Sequence, residues 1–177
     1  MGSYLNPGNK GFQESLNSEI YVDKTGLIEK TNAVLDTRQK FLCVSRPRRF
    51  GKSMAADMLA AYYERGEDAD LLFRSLKISK AESYRAHLNQ YDVIKVNIQE
   101  FLSMTGSMDE MLSMLKKYLV FDLMEHFDDI RFRDESNLIQ VMKDIYAKTK
   151  RAFVILIDEW DCLFREYQQD QDSQKKY

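Results

Sequence analysis

The sequence predicts an α/β fold, a parallel sheet with helices packed against it, and three observations predict it. Short apolar runs at Lys40–Ser45, Tyr91–Ile98 and Arg151–Ile157 alternate with longer segments of helical period. No hairpin signal joins any two of these runs, so the strands are expected to be parallel. The last run, Phe153-Val154-Ile155-Leu156-Ile157, is apolar on consecutive residues, as a strand covered on both faces would be. Ligands of such sheets bind beyond the carboxyl ends of the strands, and the chemically notable residues follow the first and third runs.

In chain order, residues 1–20 are polar, contain Asn6-Pro7-Gly8-Asn9, and read as a loop or extended lead-in to a core at 21–177. Thr25–Leu35 reads as a short helix capped by Asp23 or Thr25. Lys40–Ser45 is the first strand, followed by a loop at Arg46–Gly51. A helix over Lys52–Glu64 carries Met54, Met58, Leu59 and Tyr62 at helical spacing. Leu71–Leu76 and Ile78 suggest a short helix and turn before the second strand, Tyr91–Ile98. Ser107–Phe127 is a long amphipathic helix, and Asn137–Lys148 another, entered from Asp134 or Ser136. After the third strand the chain turns helical from Cys162, then polar over Gln168–Lys176.

Composition narrows the function classes. The 177 residues are 44% hydrophobic and 31% charged, with a net charge of −2, which fits a globular domain without a general cationic surface for nucleic acid. Cys43 and Cys162 are far apart, so neither a disulfide framework nor a zinc site is expected. The longest apolar run, Ala152–Ile157, is too short to span a bilayer, and a cytoplasmic protein is the expectation. His87 and His126 lack companions at metal-ligand spacing, and Met104, Met108, Met111 and Met114 read as core or partner-facing filler.

Two motifs carry chemistry. The first is Arg46-Pro47-Arg48-Arg49-Phe50-Gly51-Lys52-Ser53, a loop between a strand and a helix. In such a loop glycine lets the backbone approach an anion, and the amides at the helix start point at it. Lys52 would reach the β- and γ-phosphates of a nucleotide, and the Ser53 hydroxyl would coordinate Mg2+. The usual pattern G-x-x-x-x-G-K-[ST] has glycine where Arg46 stands, and a Gly-Lys-Ser triplet alone is a weak signal. The second motif is the apolar strand Phe153–Ile157 ending in Asp158-Glu159, with Asp158 placed for the metal and Glu159 for orienting a water. An acid pair opening the next helix is the plain alternative for Asp158-Glu159 alone, but it leaves the upstream Gly-Lys-Ser loop unexplained.

Tyr21-Val22-Asp23-Lys24-Thr25, the Ser45–Ser53 loop and Ile155-Leu156-Ile157-Asp158-Glu159-Trp160-Asp161, in that order, resemble the prokaryotic AAA-ATPase-like family. Members carry the same RPRRFGKS loop, so Arg46 matches the family. The resemblance runs from about Leu5 onward and implies a three-layer P-loop NTPase fold of the ASCE, AAA-like type, with ATP and Mg2+ as cofactors. It assigns phosphate and magnesium binding to Gly51, Lys52 and Ser53, metal binding to Asp158 and water activation to Glu159. Tyr21, Asp23 and Lys24 stand where related ATPases place adenine contacts, with capping and packing of the next helix as the alternative. Pro47, Arg48, Arg49 and Phe50 belong to the loop; the two arginines either neutralise phosphate charge or stand as solvated cations. Asp161 is either part of the acidic motif or the cap of the helix at Cys162.

The resemblance also implies a strand order of five-one-four-three-two, in which a fourth strand separates the loop strand from the acidic one. No such strand pattern follows Glu159, so the expectation is the N-terminal part of a single domain, truncated after the acidic strand. Hydrolysis is then expected of the intact protein and little of this stretch alone, with oligomerisation one way to cover the open edge. Many relatives carry a C-terminal nuclease-like domain, and nucleic acid enters as a partner only through it. Besides an ATPase acting as motor or switch, the alternative is a non-hydrolysing nucleotide-sensing scaffold that regulates a partner. A small-substrate kinase ranks below both, because Glu159 beside Asp158 favours water activation.

Overall fold

The computed structural model describes residues 2–45 and 50–166, and within the last helix nothing is said of the side chains of Arg165 and Glu166. Arg46, Pro47, Arg48, Arg49 and the polar stretch Gln168–Lys176 lie outside the described residues. The helices are α1 (Lys10–Leu16), α2 (Gly26–Asn32), α3 (Lys52–Tyr63), α4 (Asp70–Phe73), α5 (Tyr84–His87), α6 (Ile98–Ser103), α7 (Met108–His126), α8 (Leu138–Thr149) and α9 (Cys162–Glu166). A 3-10 turn spans Lys77–Lys80, and the strands are β1 (Asp92–Asn97) and β2 (Phe153–Asp158), neighbours in a two-stranded sheet. No described helix is long and apolar enough to cross a membrane.

The mixed α/β character stands, with four corrections. Lys40–Ser45 is not a strand: Phe41 is 86% exposed, Leu42 and Val44 are exposed, and no ladder pairs the segment among the described residues. An apolar run becomes a strand only when a neighbour satisfies its amides and carbonyls, and among the described residues none does. Second, β2 is not covered on both faces, because Ile155 and Ile157 are about half exposed. Third, the lead-in contains α1, which packs on α3 with the Asp57 carboxylate against Gly11. The α8 cap is Asn137, whose side chain accepts from the Gln140 amide, rather than Asp134 or Ser136.

The chain forms two compact units. The first holds residues 6–94 and 151–156. Its core is dense in aromatics, with Phe12 stacked on Phe73 at 4.8 Å and Tyr62 edge-on to Phe73 at 5.4 Å. Tyr62 and Tyr63 at the end of α3 are fully buried, so their hydroxyls need partners. Tyr62 donates to the Tyr84 carbonyl, Tyr63 donates to Asn32 Oδ1, and the Asn32 amide donates to Tyr62 and Ser83. This network fixes α2 against the C-terminal half of α3.

A buried charge cluster closes the same unit. Asp92 is fully buried and accepts from Arg65 Nε at 2.7 Å, Arg151 Nε at 3.1 Å and the Asn6 side chain at 3.3 Å. Asn6 in turn accepts the Val93 amide and donates its own amide to the Val93 carbonyl. Burial alone would raise the Asp92 carboxyl, but the two guanidinium groups and Asn6 outweigh it and hold it below its usual range.

The second unit holds residues 2–5, 95–150 and 157 onward. Met111, Leu123, Val141 and Ile145 are fully buried along α7 and α8, which pack together. Asp122, facing inward from α7, accepts the amides of Tyr4 at 2.6 Å and Leu5 at 3.1 Å and so pins the N-terminal segment. Ser107 caps α7 by accepting the Glu110 amide.

Replacing Asp92 by asparagine leaves two arginines facing a neutral group, and the expected loss is about 3 kcal/mol in denaturant melts. Because the folded-state pKa of Asp92 lies below its unfolded value, its contribution is present at neutral pH and is lost as pH falls through the folded pKa. The variant should therefore lose part of the wild type's steepness of acid destabilisation. A thiol count tests the corrected loop segment: exposed Cys43 reacts promptly with a maleimide, and buried Cys162 reacts only on unfolding. Equal slow reaction of both would contradict the exposure of 41–45.

Candidate functional site

The loop motif is described from Phe50 onward. Gly51 adopts φ 74° and ψ 37°, the left-handed region that favours glycine, and directly opens the 12-residue helix α3. Its carbonyl accepts the Ala55 amide at 3.0 Å, so the first helical bond begins at the glycine itself. Lys52 and Ser53 are the first two residues of α3; Lys52 is half-buried and Ser53 is exposed. The amides of a first helical turn have no partner within the helix, and they carry the positive end of its dipole. No acidic side chain stands in this first turn to compete with an anion.

The segment Tyr21–Thr25 belongs to the same unit. Asp23 accepts from the Thr25 amide at 2.9 Å and Thr25 hydroxyl at 2.6 Å through Oδ1, and from the Lys77 amide at 2.8 Å through Oδ2. Burial works to raise the Asp23 carboxyl, and these bonds overcome it and lower it below the usual range. Asp23 thus ties the entry of α2 to the 3-10 turn, which accords with the capping alternative. Tyr21 packs edge-on against Phe12 at 6.2 Å, and burial, with Asp23 nearby, pushes its phenol up to about 12.

The acidic motif lies at the end of β2, in the second unit. Asp158 is 8% exposed, and its Oδ1 accepts the Glu159 amide at 2.9 Å. Its Oδ2 makes no hydrogen bond among the described residues. Glu159 has φ 51°, a left-handed conformation that is uncommon for a residue with a Cβ. Its carbonyl accepts the Cys162 amide at 3.1 Å, making the turn into α9. Trp160 packs edge-on against Phe164 at 6.0 Å, and Asp161 directly precedes α9.

As a test of magnesium, the donor chemistry fits. Asp158 Oδ2 and the Ser53 hydroxyl are hard oxygens of the kind that ion takes, usually with several waters. Among the described residues no cluster of three or more His, Cys, Asp or Glu side chains forms a dedicated cage.

Lys24 is the residue that sequence reasoning underweighted. Its Nζ donates to the Phe50 carbonyl at 3.0 Å, across 26 positions of sequence, and no spacing rule signals such a contact. Arg48 and Arg49, with Pro47, are outside the described residues.

No curated protein and no solved structure matches the chain. One family model, described as a predicted AAA-ATPase, matches residues 8–177. That match takes in the loop, the acidic motif and both strands, and with it the chain belongs to the AAA-ATPase-like family.

Proposed function

We propose that the chain binds ATP with Mg2+ through Gly51, Lys52 and Ser53, and that the protein hydrolyses it to ADP with Glu159 orienting the attacking water. The observation that carries this reading is the left-handed Gly51 opening directly into a helix whose first residues are Lys52 and Ser53. That arrangement offers backbone amides, an ammonium and a hydroxyl at one helix start, which is what a triphosphate with its metal requires.

In the sequence Pro47, Arg48, Arg49 and Phe50 directly precede Gly51 and belong to the same family motif. The Ser53 hydroxyl and, in the acidic motif, the Asp158 carboxylate are the candidate oxygen ligands for Mg2+, which when bound would neutralise charge on the β- and γ-phosphates. Asp158 suits this role because Glu159 occupies only one of its oxygens. The left-handed turn at Glu159 stores roughly 1 kcal/mol of strain, a feature often found where a side chain is aimed for chemistry. Tyr21 and Asp23 lie before the loop and serve the nucleotide by bracing its surroundings, with Tyr21 a candidate face for the base. ATP turnover then acts as motor or switch, in the cytoplasm, for a larger protein.

Lys52→Ala should weaken ATP binding by about 100-fold, measured by fluorescence of a labelled nucleotide, because it removes the ammonium that the helix start brings to the terminal phosphates. Glu159→Gln should retain binding and lower phosphate release by roughly 100-fold or more. Retained binding in Lys52→Ala would sink the phosphate-loop assignment. Binding by the unaltered protein without turnover above background would instead favour the nucleotide-sensing scaffold.

A further inference from the structure

The contact between Lys24 and the loop assigns a role to a residue outside the phosphate-binding triplet. Lys24 stands between two anchored neighbours. Asp23 is bound to Thr25 and to the Lys77 amide, while Thr25 is fully buried and its hydroxyl accepts the Ile78 amide at 3.1 Å. The backbone carrying Lys24 is therefore held, and its side chain reaches out from a fixed base. Its ammonium donates to the Phe50 carbonyl at 3.0 Å and lies 3.0 Å from where a Cβ on Gly51 would sit. No carboxylate pairs with Lys24 among the described residues.

The planarity of the peptide gives this contact a consequence. The Phe50–Gly51 bond is trans, so its carbonyl and its N–H point in opposite directions. With the carbonyl held toward Lys24, the Gly51 N–H is turned to the opposite side. Peptides beside a glycine flip most readily, because glycine populates both signs of φ. A flip here would exchange the N–H for a carbonyl oxygen, replacing attraction for an anion with repulsion. Gly51 is favoured by its positive φ, and a Cβ there would also press on the Lys24 ammonium.

We propose that Lys24 is a positioning residue of the phosphate loop: its ammonium latches the Phe50 carbonyl and so keeps the Gly51 amide turned toward a bound phosphate. The proposal rests on the phosphate-binding reading above.

The test compares Lys24→Met, Lys24→Arg and Lys52→Ala in the full chain. The readouts are binding of a fluorescent ATP with Mg2+, binding of adenosine, the thermal melt, and the amide resonance of Gly51 without ligand. Lys24→Met should weaken ATP binding about tenfold, the scale of one charge-assisted hydrogen bond, and leave adenosine binding unchanged. Its melt should stay within roughly 2 °C of the unaltered protein, since an exposed contact contributes little to stability. Lys24→Arg, which keeps a donor, should recover most of the affinity, and the Gly51 resonance should move in Lys24→Met but not in Lys24→Arg. Unchanged ATP affinity in Lys24→Met overturns the proposal, as does an equal loss for ATP and adenosine. If Lys52→Ala leaves ATP binding intact, the phosphate-binding reading falls instead. The Gly51 resonance then decides the latch alone: unmoved in Lys24→Met overturns it, moved retains it.

Discussion

The buried carboxylate of Asp92 is the constraint on which most of the first unit depends. It gathers Asn6 from the lead-in, Arg65 from the end of α3 and Arg151 from the approach to β2. Desolvating a carboxylate is costly, so the site is tolerable only because three side chains direct donors at it. The result is a joint between four stretches of chain that apolar packing alone would leave free to slide. Hydrophobic contact is nondirectional, whereas these bonds fix positions.

The joint matters for the loop helix because it acts on the far end of α3. Arg65 binds Asp92 two residues beyond the helix, and the Glu64 backbone pairs with Tyr91 in an isolated parallel bridge. Gly8 adds a bond from its amide to the fully buried Glu64 carboxylate, whose pKa is raised by that burial. At the other end, Lys24 holds the Phe50 carbonyl. The helix that begins with Lys52 and Ser53 is thus restrained at both termini, with the tyrosine network holding its last turn. A site that binds an anion through backbone amides needs such restraint, because the amides work only if their directions are set beforehand.

Both motifs turn on a left-handed residue, but the residues differ. Gly51 takes that conformation without a steric penalty, and the space beside it is filled by Lys24. Glu159 takes it with a Cβ, and the turn is supported by the Asp158 carboxylate at its amide and by the Cys162 amide at its carbonyl. The first is a conformation chosen by residue type. The second is one imposed by neighbouring hydrogen bonds, and only coordinates reveal it.

The sequence by itself determined the local elements whose signals are periodic: α3, α7, α8 and the apolar strands β1 and β2 appear within a residue or two of their expected limits. It also determined the family, because the loop triplet, the acidic strand end and the YVDKT segment are short motifs with fixed chemistry. What it could not determine is anything that needs a partner distant in the chain. Lys40–Ser45 has strand composition but lacks a ladder among the described residues, so pairing, not propensity, decided it. The helix α1 was hidden because its support comes from packing on α3 rather than from its own polar sequence. Asp92 and Asp122 look like ordinary surface charges in a one-dimensional reading, and nothing in the motif that holds Lys24 signals its contact with Phe50. Tertiary structure gave them their roles, because a buried or latched charge is defined by the donors and acceptors that the folded chain brings to it.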